Sequence, residues 1–309
     1  MKPIIYGGRG DHLGSCLMNL AGAWRLAEAL RLKFVSVWPD GRKGRPDMAL
    51  RALYQDVPFD VINVAPPCDI RLYAAEQLDP AGVMGATTIW YAASGHLQLV
   101  GENASDVGDH ARKLMQSLPL RPSIGEAVER VVAATEIAGK TAVHLRRGDL
   151  IDHVQRPANP RSLAIGVNWF IGKFAEIEAY VDAAEGADIV AFSDSSEEVE
   201  RMRGLLPRGR LVAISEHSNL FAGLTSHQRD MAEMLIMSRA ASVIQTNSNF
   251  SGFAAFYGNR PGKNVLQYIR PDRLAREVNR LFCPDVAELV AEAYHGTRKQ
   301  IAAAIRGAA

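Results

Sequence analysis

The feature that most constrains the fold is a regular alternation of short apolar segments and single amphipathic helices after Lys140. Apolar runs of four or five residues predict strands, and a 3.6-residue apolar period predicts the helices between them. Strands separated by single helices pair in parallel through right-handed crossovers. The predicted strands are 141–145, 188–192, 210–214, 242–245 and 264–267, and the predicted helices are 167–184, 196–205, 226–240 and 250–257. The second half of the chain is therefore expected to form an α/β domain with a parallel sheet.

The first forty residues show the same pattern. The predicted elements are a strand over 4–6, the loop GGRGDHLG, a helix over 15–31 and a strand over 33–38. Glycines let a ligand approach the backbone and a helix N-terminus attracts anions, so the loop either holds a phosphate or only makes a tight turn. Three residues separate Gly10 from Gly14, whereas the dinucleotide fingerprint has two at this point. This spacing argues against the alternative of a dinucleotide-dependent oxidoreductase, in which Asp40 would bind the ribose.

The remaining segments complete a two-domain organisation. Residues 59–64 and 87–90 predict strands, 107–117 and 123–138 predict helices, and 272–282 and 285–304 predict two terminal helices. A capping-box spacing begins the helix at 123 and Gly139 ends it, which places a boundary there. We expect domains over 1–138 and 139–270, followed by C-terminal helices over 271–309 that pack back across them.

Composition excludes several classes of protein. The 309 residues carry a formal net charge of +1, with 48% hydrophobic and 22% charged residues, which argues against disorder and against a nucleic-acid-binding surface. Cys16, Cys68 and Cys283 are odd in number and lie outside any CxxC pattern, so neither a disulfide framework nor a zinc site is expected. No apolar run reaches the roughly 18 residues of a transmembrane helix, and no signal-peptide pattern is evident. These features predict a cytoplasmic protein without a transmembrane segment.

Two adjacent arginines, Arg146 and Arg147, directly follow the predicted strand 141–145. In open α/β sheets, ligands bind beyond the carboxyl ends of the strands. A guanidinium group matches the oxygens of a phosphate, and two such groups neutralise a diphosphate without a metal ion. The alternative is a pair of arginines bridged to surface carboxylates.

Four segments together resemble the fucosyltransferase superfamily that includes rhizobial nodulation fucosyltransferase, core α1,6-fucosyltransferase and the protein O-fucosyltransferases. They are HLGSCLMNLAGAWRLAEAL from His12, HLRRGD from His144, FSDSSEEVERMRGLLP from Phe192 and EMLIMSRAASVIQTNSNFSGFAAFYG from Glu233. HLRRGD looks like the superfamily's HxRR motif. The last segment is similar to its D-x3-L-x-R-x3-VI…SxFS pattern, with Met237 in place of Leu. The segments occur in the superfamily's order and cover both halves of the chain.

The resemblance implies two Rossmann-like domains in a glycosyltransferase fold of the GT-B type. It places the acceptor on the side of domain 1–138 and the GDP-sugar in domain 139–270. It also implies inverting transfer of fucose from GDP-fucose to a glycan or lipo-oligosaccharide acceptor, with no metal and no cofactor. A non-catalytic nucleotide- or glycan-binding relative is the remaining alternative, since a fold survives the loss of active-site residues.

Arg146 matches the superfamily's key arginine and is the predicted catalytic residue. When the bond between the sugar and the nucleotide breaks, negative charge builds on the β-phosphate, and a preorganised guanidinium stabilises that state more than the ground state. Arg147 is either a supporting cation or a structural residue. The predicted general base for the acceptor hydroxyl is Asp149, with Asp152 and His153 as further candidates.

Glu233 stands at the superfamily's acidic position on the predicted helix 226–240. A carboxylate accepts two parallel hydrogen bonds from the N1–H and 2-amino groups of guanine, a pair that adenine does not offer. The alternative is an ion pair with Arg229 one turn earlier, and Asp230 is the second candidate for the base contact.

The other residues that the resemblance places at the nucleotide-sugar are His144, Asp194, Ser248, Phe250, Ser251, Gly14 and Ser15. Hydroxyl and free N–H groups at a helix start form a phosphate cradle, but the same groups also make an ordinary N-cap. The capping alternative applies to Asp194 as well, because it precedes two glutamates with capping-box spacing. For His144, the alternative is a core histidine inside its strand.

Overall fold

A computed structural model describes residues 2–10, 12–38, 49–73, 77–147, 155, 175–246 and 248–281. The strands in this part of the chain are β1 (Ile4–Gly7), β2 (Lys33–Val37), β3 (Asp60–Ile62), β4 (Ile70–Leu72), β5 (Thr88–Tyr91), β6 (Thr141–Leu145), β7 (Ile189–Ser193), β8 (Leu211–Ala213), β9 (Ser242–Gln245) and β10 (Gly262–Asn264). The α-helices are α1 (Leu13–Leu30), α2 (Leu50–Leu53), α3 (Pro80–Met84), α4 (Ala104–Ser117), α5 (Pro122–Thr135), α6 (Ile177–Ala183), α7 (Ser196–Gly204), α8 (Ser226–Met237), α9 (Asn249–Gly258) and α10 (Pro271–Leu281). Short 3₁₀ helices cover Ile137–Gly139, Ile214–Phe221 and Val265–Tyr268.

The described residues divide into two compact units, each with its own parallel sheet. The first unit contains the described residues of Met1–Ala134, Asn219–Arg239 and Asn249–Arg260. The second contains those of Thr135–Ser218, Ala240–Ser248 and Pro261–Ala309. Helices α8 and α9 therefore belong to the first unit, although β9 lies between them in the sequence.

The sheet of the first unit has the strand order β3-β2-β1-β5-β4, with every neighbouring pair parallel. Helix α1 packs against β1 and β2, because its apolar stripe, which includes Leu17 and Leu20, is buried. A Cβ atom at Gly7 would lie 2.5 Å from the Cβ atom of Ala23, so the missing side chain lets the helix approach the strand. Helix α9 packs against α1 and α4 within the same unit.

The sheet of the second unit has the order β10-β9-β6-β7-β8, and all of its neighbouring pairs are also parallel. All five residues of the central strand β6 are buried, as expected for a strand covered on both faces. In the ladder, His144 pairs with Phe192 and Leu145 pairs with Ser193. The residues that follow β6 and β7 therefore emerge at the same edge of the sheet.

Side-chain caps explain where α7 and α8 begin. The Ser195 hydroxyl accepts from the N–H of Glu198 at the start of α7, whose first turn is acidic and whose last turn is basic. Both features are favourable for the helix dipole. Helix α8 begins with a complete capping box between Thr225 and Gln228.

The predicted α/β class with parallel sheets is confirmed, but one predicted strand is wrong. Residues 264–267 do not form a strand: β10 ends at Asn264, and a 3₁₀ helix follows because the Asn264 side chain accepts from the N–H of Leu266 at 3.0 Å. Strand β4 and helix α3 were not predicted.

The first residues of the predicted helix 167–184 and all of 285–304 lie outside the described residues. The domain boundaries at 138 and 270 stay predictions. None of the helices in the described ranges is both long enough and apolar enough to cross a bilayer.

Candidate functional site

The carboxyl ends of β6 and β7 bring three of the predicted site residues together. Arg146 and Arg147 follow β6, and Asp194 follows β7. The backbone N–H of Arg147 donates to Asp194 Oδ1 at 2.8 Å. One residue earlier, the Ser193 hydroxyl donates to the carbonyl of Leu145 at 2.6 Å. Side-chain hydrogen bonds thus join the two strand ends at the last pair of the ladder and beyond it.

Arg146 and His144 differ in their exposure. His144 is buried inside β6, whereas Arg146 is half-buried where the strand ends. A half-buried guanidinium is screened less by solvent than an exposed one and still keeps a surface that a ligand can reach. The catalytic role of Arg146 stays a prediction. The nucleotide contact of His144 stays a prediction.

Arg147 is completely buried, and protein groups occupy both of its terminal nitrogens. Its Nη1 donates to Glu198 Oε2 at 2.7 Å and to Glu277 Oε1 at 2.6 Å. Its Nη2 donates to the carbonyl of Ala175. This geometry favours the structural alternative for Arg147 over direct contact with a diphosphate. Glu277 was missed by sequence reasoning, because nothing in a single sequence pairs two residues that are 130 positions apart.

Five charged side chains of the second unit form what we call the Arg147 cluster: Arg147, Glu198, Arg201, Glu277 and Arg280. Glu277 also accepts from Arg201 Nη1 at 2.9 Å and from Arg280 Nη2 at 2.7 Å. Burial alone would raise the pKa of Glu277, but hydrogen bonds from Arg280 and Arg201 and the charge of Arg147 lower it to about 2. Three guanidinium groups and two carboxylates leave the cluster with one net positive charge.

The two residues after β7 have separate tasks. The Ser195 hydroxyl caps α7 by accepting from the N–H of Glu198 at 3.4 Å. The Asp194 carboxylate instead accepts from the backbone of Arg147. Capping therefore accounts for Ser195, while Asp194 holds the loop that carries the two arginines. Its contact with the ribose or the sugar stays a prediction.

In the first unit, residues 14–15 and 249–251 meet although they lie far apart in the sequence. Helix α1 begins at Leu13, so Gly14 lies in its first turn and not in the preceding loop. A Cβ atom at Gly14 would lie 2.5 Å from the carbonyl oxygen of Asn249 and 2.7 Å from the backbone nitrogen of Phe250. Asn249 Nδ2 donates to Ser15 Oγ at 2.7 Å. The starts of α1 and α9 are thus in direct backbone contact, and Gly14 permits it.

Helix N-termini carry unpaired N–H groups and a partial positive charge, which favour anions. Two such starts in contact place both sets of donors in one region of the first unit. Of the predicted contacts on α9, Phe250 is half-buried and Ser251 is fully buried. Their roles at a nucleotide stay predictions.

Glu233 lies in the middle of α8, beside Arg229. Arg229 Nε donates to Glu233 Oε1 at 2.9 Å, so the predicted alternative of an ion pair within the helix is present. The guanidinium of Arg229 also lies 4.9 Å from the ring centroid of Phe221, as in a cation–π contact. The contact of Glu233 with a guanine base stays a prediction. Asp230 is the second candidate for the contact with guanine, and its Oδ2 lies 3.8 Å from Nδ1 of His227.

Some predicted residues fall outside the described part of the chain. They are Asp149, Asp152 and His153, together with Asp40 of the oxidoreductase alternative. Ser248 is described and lies half-buried in the second unit, just before α9. Among the residues the structure describes, no group of three or more His, Cys, Asp or Glu side chains is arranged to hold a metal ion.

A pocket of about 670 Å³ lies at the carboxyl edge of the sheet in the first unit. Its lining residues are Gly8, Arg9, Gly10, Val37, Asn63, Val64, Ala65, Tyr73, Trp90 and Ala92. Arg9 Nη1 donates to the carbonyl of Ala92 at 2.8 Å, which fixes the cation on the pocket wall. The glycine loop after β1 thus contributes to a pocket with two aromatic side chains, Tyr73 and Trp90. Sequence reasoning missed both. Trp90 ends the predicted strand 87–90 and so had a local signal, whereas Tyr73 follows β4, which was not predicted.

Comparison with known proteins identifies the fold. No protein-family model and no curated protein sequence matches this chain. The solved structure of NodZ α-1,6-fucosyltransferase soaked with GDP-fucose matches 83% of this chain and 93% of its own, with 17% identity and a TM-score of 0.52. NodZ α-1,6-fucosyltransferase co-crystallised with GDP matches 82% of this chain and 92% of its own, with 15% identity and a TM-score of 0.50. The fucosyltransferase NodZ from Bradyrhizobium matches 82% of this chain and 93% of its own, with 16% identity and a TM-score of 0.49. On the first of these matches, this chain has a fucosyltransferase-type fold, of the kind seen in NodZ.

Proposed function

We propose that this chain is a glycosyltransferase that moves fucose from GDP-fucose to a hydroxyl group of a glycan or lipo-oligosaccharide. The observation that carries the proposal is the position of HLRRGD. Its arginines follow the central strand of a parallel sheet, at the edge where such sheets bind ligands. The fold is shared with NodZ, one structure of which was soaked with GDP-fucose and another co-crystallised with GDP. The ordered set of four sequence motifs supports the same function.

Arg146 is the catalytic residue in this proposal. As the bond between the anomeric carbon and the β-phosphate oxygen breaks, its electron pair moves to that oxygen. A guanidinium already held at the strand end stabilises the new charge without reorganisation. The half-buried position of Arg146 supports this role, since a charge interaction is stronger there than in bulk water.

The transfer is inverting and independent of a metal ion in the same proposal. The acceptor oxygen attacks the anomeric carbon from the side opposite to the leaving GDP and forms the new glycosidic bond. The proton of the acceptor hydroxyl passes to a base, for which Asp149 is the proposed residue. Arg146 and the net positive charge of the Arg147 cluster offset the negative charge of the diphosphate. In a metal-dependent enzyme a divalent cation would do this.

The remaining donor contacts are proposed residue by residue. They are His144, Asp194, Glu233, Ser248, Phe250, Ser251, Gly14 and Ser15. Arg147 is proposed to act on the donor only indirectly, because its guanidinium is bonded to Glu198 and Glu277. We also propose that the two units are the Rossmann-like domains of a GT-B-type enzyme, which is consistent with their all-parallel sheets.

The pocket of the first unit is the proposed acceptor site. Tyr73 and Trp90 offer flat apolar faces, and Arg9 and Asn63 offer polar groups, a combination typical of pockets that orient a polar ligand. Trp90→Ala is expected to raise KM for the acceptor while hydrolysis of GDP-fucose in water stays unchanged. An equal loss in both reactions would contradict the assignment of the pocket to the acceptor.

The donor assignment is tested by nucleotide binding and turnover in the presence of a chelator. We expect GDP and GDP-fucose, but not ADP, UDP or NAD, to raise the melting temperature. We expect release of GDP from GDP-fucose in EDTA to continue at the untreated rate. Arg146→Ala should lower kcat by at least about 100-fold, as when one preorganised donor is removed. The exposed Arg208→Ala is the matched control and should retain full activity. Stabilisation by another nucleotide and not by GDP would refute the proposal.

A further inference from the structure

We propose that Glu277 on α10 is a positioning residue for Arg146 and acts through Arg147. The inference rests on the proposed function and deepens it, because it names a residue far from the HLRRGD motif that sets the geometry of the proposed catalytic arginine. Glu277 does not have to touch either substrate for this role.

The first step is that Arg147 is held at both of its ends. Its backbone N–H donates to Asp194 at 2.8 Å, and its guanidinium binds Glu198, Glu277 and the carbonyl of Ala175. Arg147 shares a planar peptide bond with Arg146, so fixing one residue restricts the other. The direction in which Arg146 leaves the strand is therefore set by the contacts of its neighbour.

The second step is that Glu277 connects Arg147 to the rest of the cluster. Besides Arg147, it accepts from Arg201 at 2.9 and 3.2 Å and from Arg280 at 2.7 and 3.2 Å. Without its charge, three guanidinium groups would face the single carboxylate of Glu198. Repulsion among the three cations would then displace Arg147, because it is the buried member and has no solvent to screen it.

The third step is that α10 is anchored next to the same contacts. The N–H of Arg270, just before α10, donates to Glu176 Oε1 at 2.7 Å. Glu176 is the neighbour of Ala175, whose carbonyl accepts from Arg147. Helix α10 is thus fixed near its start to the segment that also receives Arg147, so a shift of the helix is passed to Arg147.

Stability alone does not explain the cluster. Taking charged groups out of water is costly, and well-packed apolar residues often replace a buried ion network without loss of stability. A buried network does define one arrangement of its members. Catalysis through a preorganised charge gains from such an arrangement, since a displacement of about 1 Å at a reacting group costs about 100-fold in rate.

The test is a double-mutant cycle between Arg146 and Glu277. We expect Glu277→Gln to lower kcat for release of GDP from GDP-fucose by about 10- to 100-fold, with less than about a threefold change in the Kd of GDP. Glu277→Asp, which keeps the charge, should recover part of the loss. Arg146→Ala combined with Glu277→Gln should be no slower than Arg146→Ala alone, because a residue that acts only through Arg146 has no further effect once Arg146 is gone.

Glu102→Gln is the matched control for destabilisation, because it removes the partly exposed carboxylate that pairs with a different buried arginine, Arg25, in the first unit. It should lower the melting temperature without lowering kcat. If Glu277→Gln does not fold, the cycle is measured with Glu277→Asp.

Multiplicative losses in the cycle, or a Glu277 variant that loses stability and keeps its full kcat, would overturn the inference while the proposed function stands. A wild-type protein that neither binds GDP nor releases it from GDP-fucose would overturn the proposed function and, with it, the inference.

Discussion

Replacing Gly14 with alanine tests whether the contact between the starts of α1 and α9 positions the proposed nucleotide contacts. The added Cβ atom would lie 2.5 Å from the carbonyl oxygen of Asn249 and 2.7 Å from the nitrogen of Phe250. Both are backbone atoms, so no side-chain rotation relieves the overlap and the helix starts must separate. Overpacking costs about 1–3 kcal/mol, and the better helix propensity of alanine offsets up to about 1 kcal/mol of this. We expect a net destabilisation of about 1–2 kcal/mol.

Gly108 in α4 supplies the matched control. A Cβ atom there would have no neighbour within 4 Å among the described residues, so Gly108→Ala changes helix propensity without overlap. We expect this variant to be more stable by up to about 1 kcal/mol. In a thermal scan, where domains of 150–250 residues shift by about 2–4 °C per kcal/mol, Gly14→Ala should melt about 2–8 °C lower and Gly108→Ala slightly higher than the wild type.

The same substitution has a functional consequence if α9 carries nucleotide contacts. Displacing the start of the helix moves Phe250 and Ser251, so the Kd of GDP measured by calorimetry should rise for Gly14→Ala and not for Gly108→Ala. Equal melting temperatures for the two variants would refute the packing argument. A destabilised Gly14→Ala protein with an unchanged Kd would refute the proposed role of α9 in binding the nucleotide.

Three further predictions concern ionisable side chains that are wholly or partly buried. Glu102→Gln removes the partly exposed carboxylate that pairs with the buried Arg25, so we expect a loss of about 1–3 kcal/mol in urea denaturation; an unchanged free energy of unfolding would contradict this expectation. Burial, together with the charge of Arg25, lowers the pKa of His96 to about 4. As the pH falls, the imidazole is protonated in the unfolded state before it is protonated in the folded state, so the free energy of unfolding should fall between about pH 6.5 and about pH 4. His96→Gln should remove this pH dependence, and a variant that keeps it would contradict the lowered pKa of His96. Glu277 has a pKa of about 2, against an ordinary value of 4.5. The contribution of Glu277 to the free energy of unfolding is therefore complete above pH 4.5 and is lost as the pH falls towards 2. If Glu277→Gln and the wild type lose stability equally between pH 4.5 and pH 2, the lowered pKa of Glu277 is contradicted.

The alternation of strands and helices was predictable because each element has its own pattern of apolar residues in a short stretch of sequence. The central strand β6 reads as an apolar run and is buried on both faces, as a parallel sheet requires. Residues 264–267 show where such a pattern fails. The run NVLQ looks like a strand, but the Asn264 side chain accepts from a backbone N–H two residues on, and a 3₁₀ helix begins at Val265. Strand β4 is only three residues long, too short for its period to be seen.

The candidate site was predictable where residues adjoin in the sequence and hidden where distant segments meet. Two arginines at the end of a strand predict an anion site at the edge of the sheet; the structure confirms that both follow β6, and the anion stays a prediction. Neither the Glu277 partner of Arg147 nor the contact of Gly14 with Asn249 has a local signal, because both join segments that only folding brings together. The resemblance supplied Gly14 as a site residue. The structure adds a physical reason for a glycine at that position.

The two arginines of HLRRGD look equivalent in the sequence, yet their environments are opposite. In an extended chain successive side chains point to opposite sides, and the exposures agree, with Arg147 fully buried and Arg146 half-buried. A buried guanidinium needs carboxylates to offset its lost hydration, and those that surround Arg147 fix its position. An arginine that receives developing charge needs the reverse: a fixed backbone and a side chain with donors that a ligand can reach. In our proposal the two arginines have different roles, because the ion pairs that make Arg147 unsuitable as a ligand are the contacts that hold Arg146 in place.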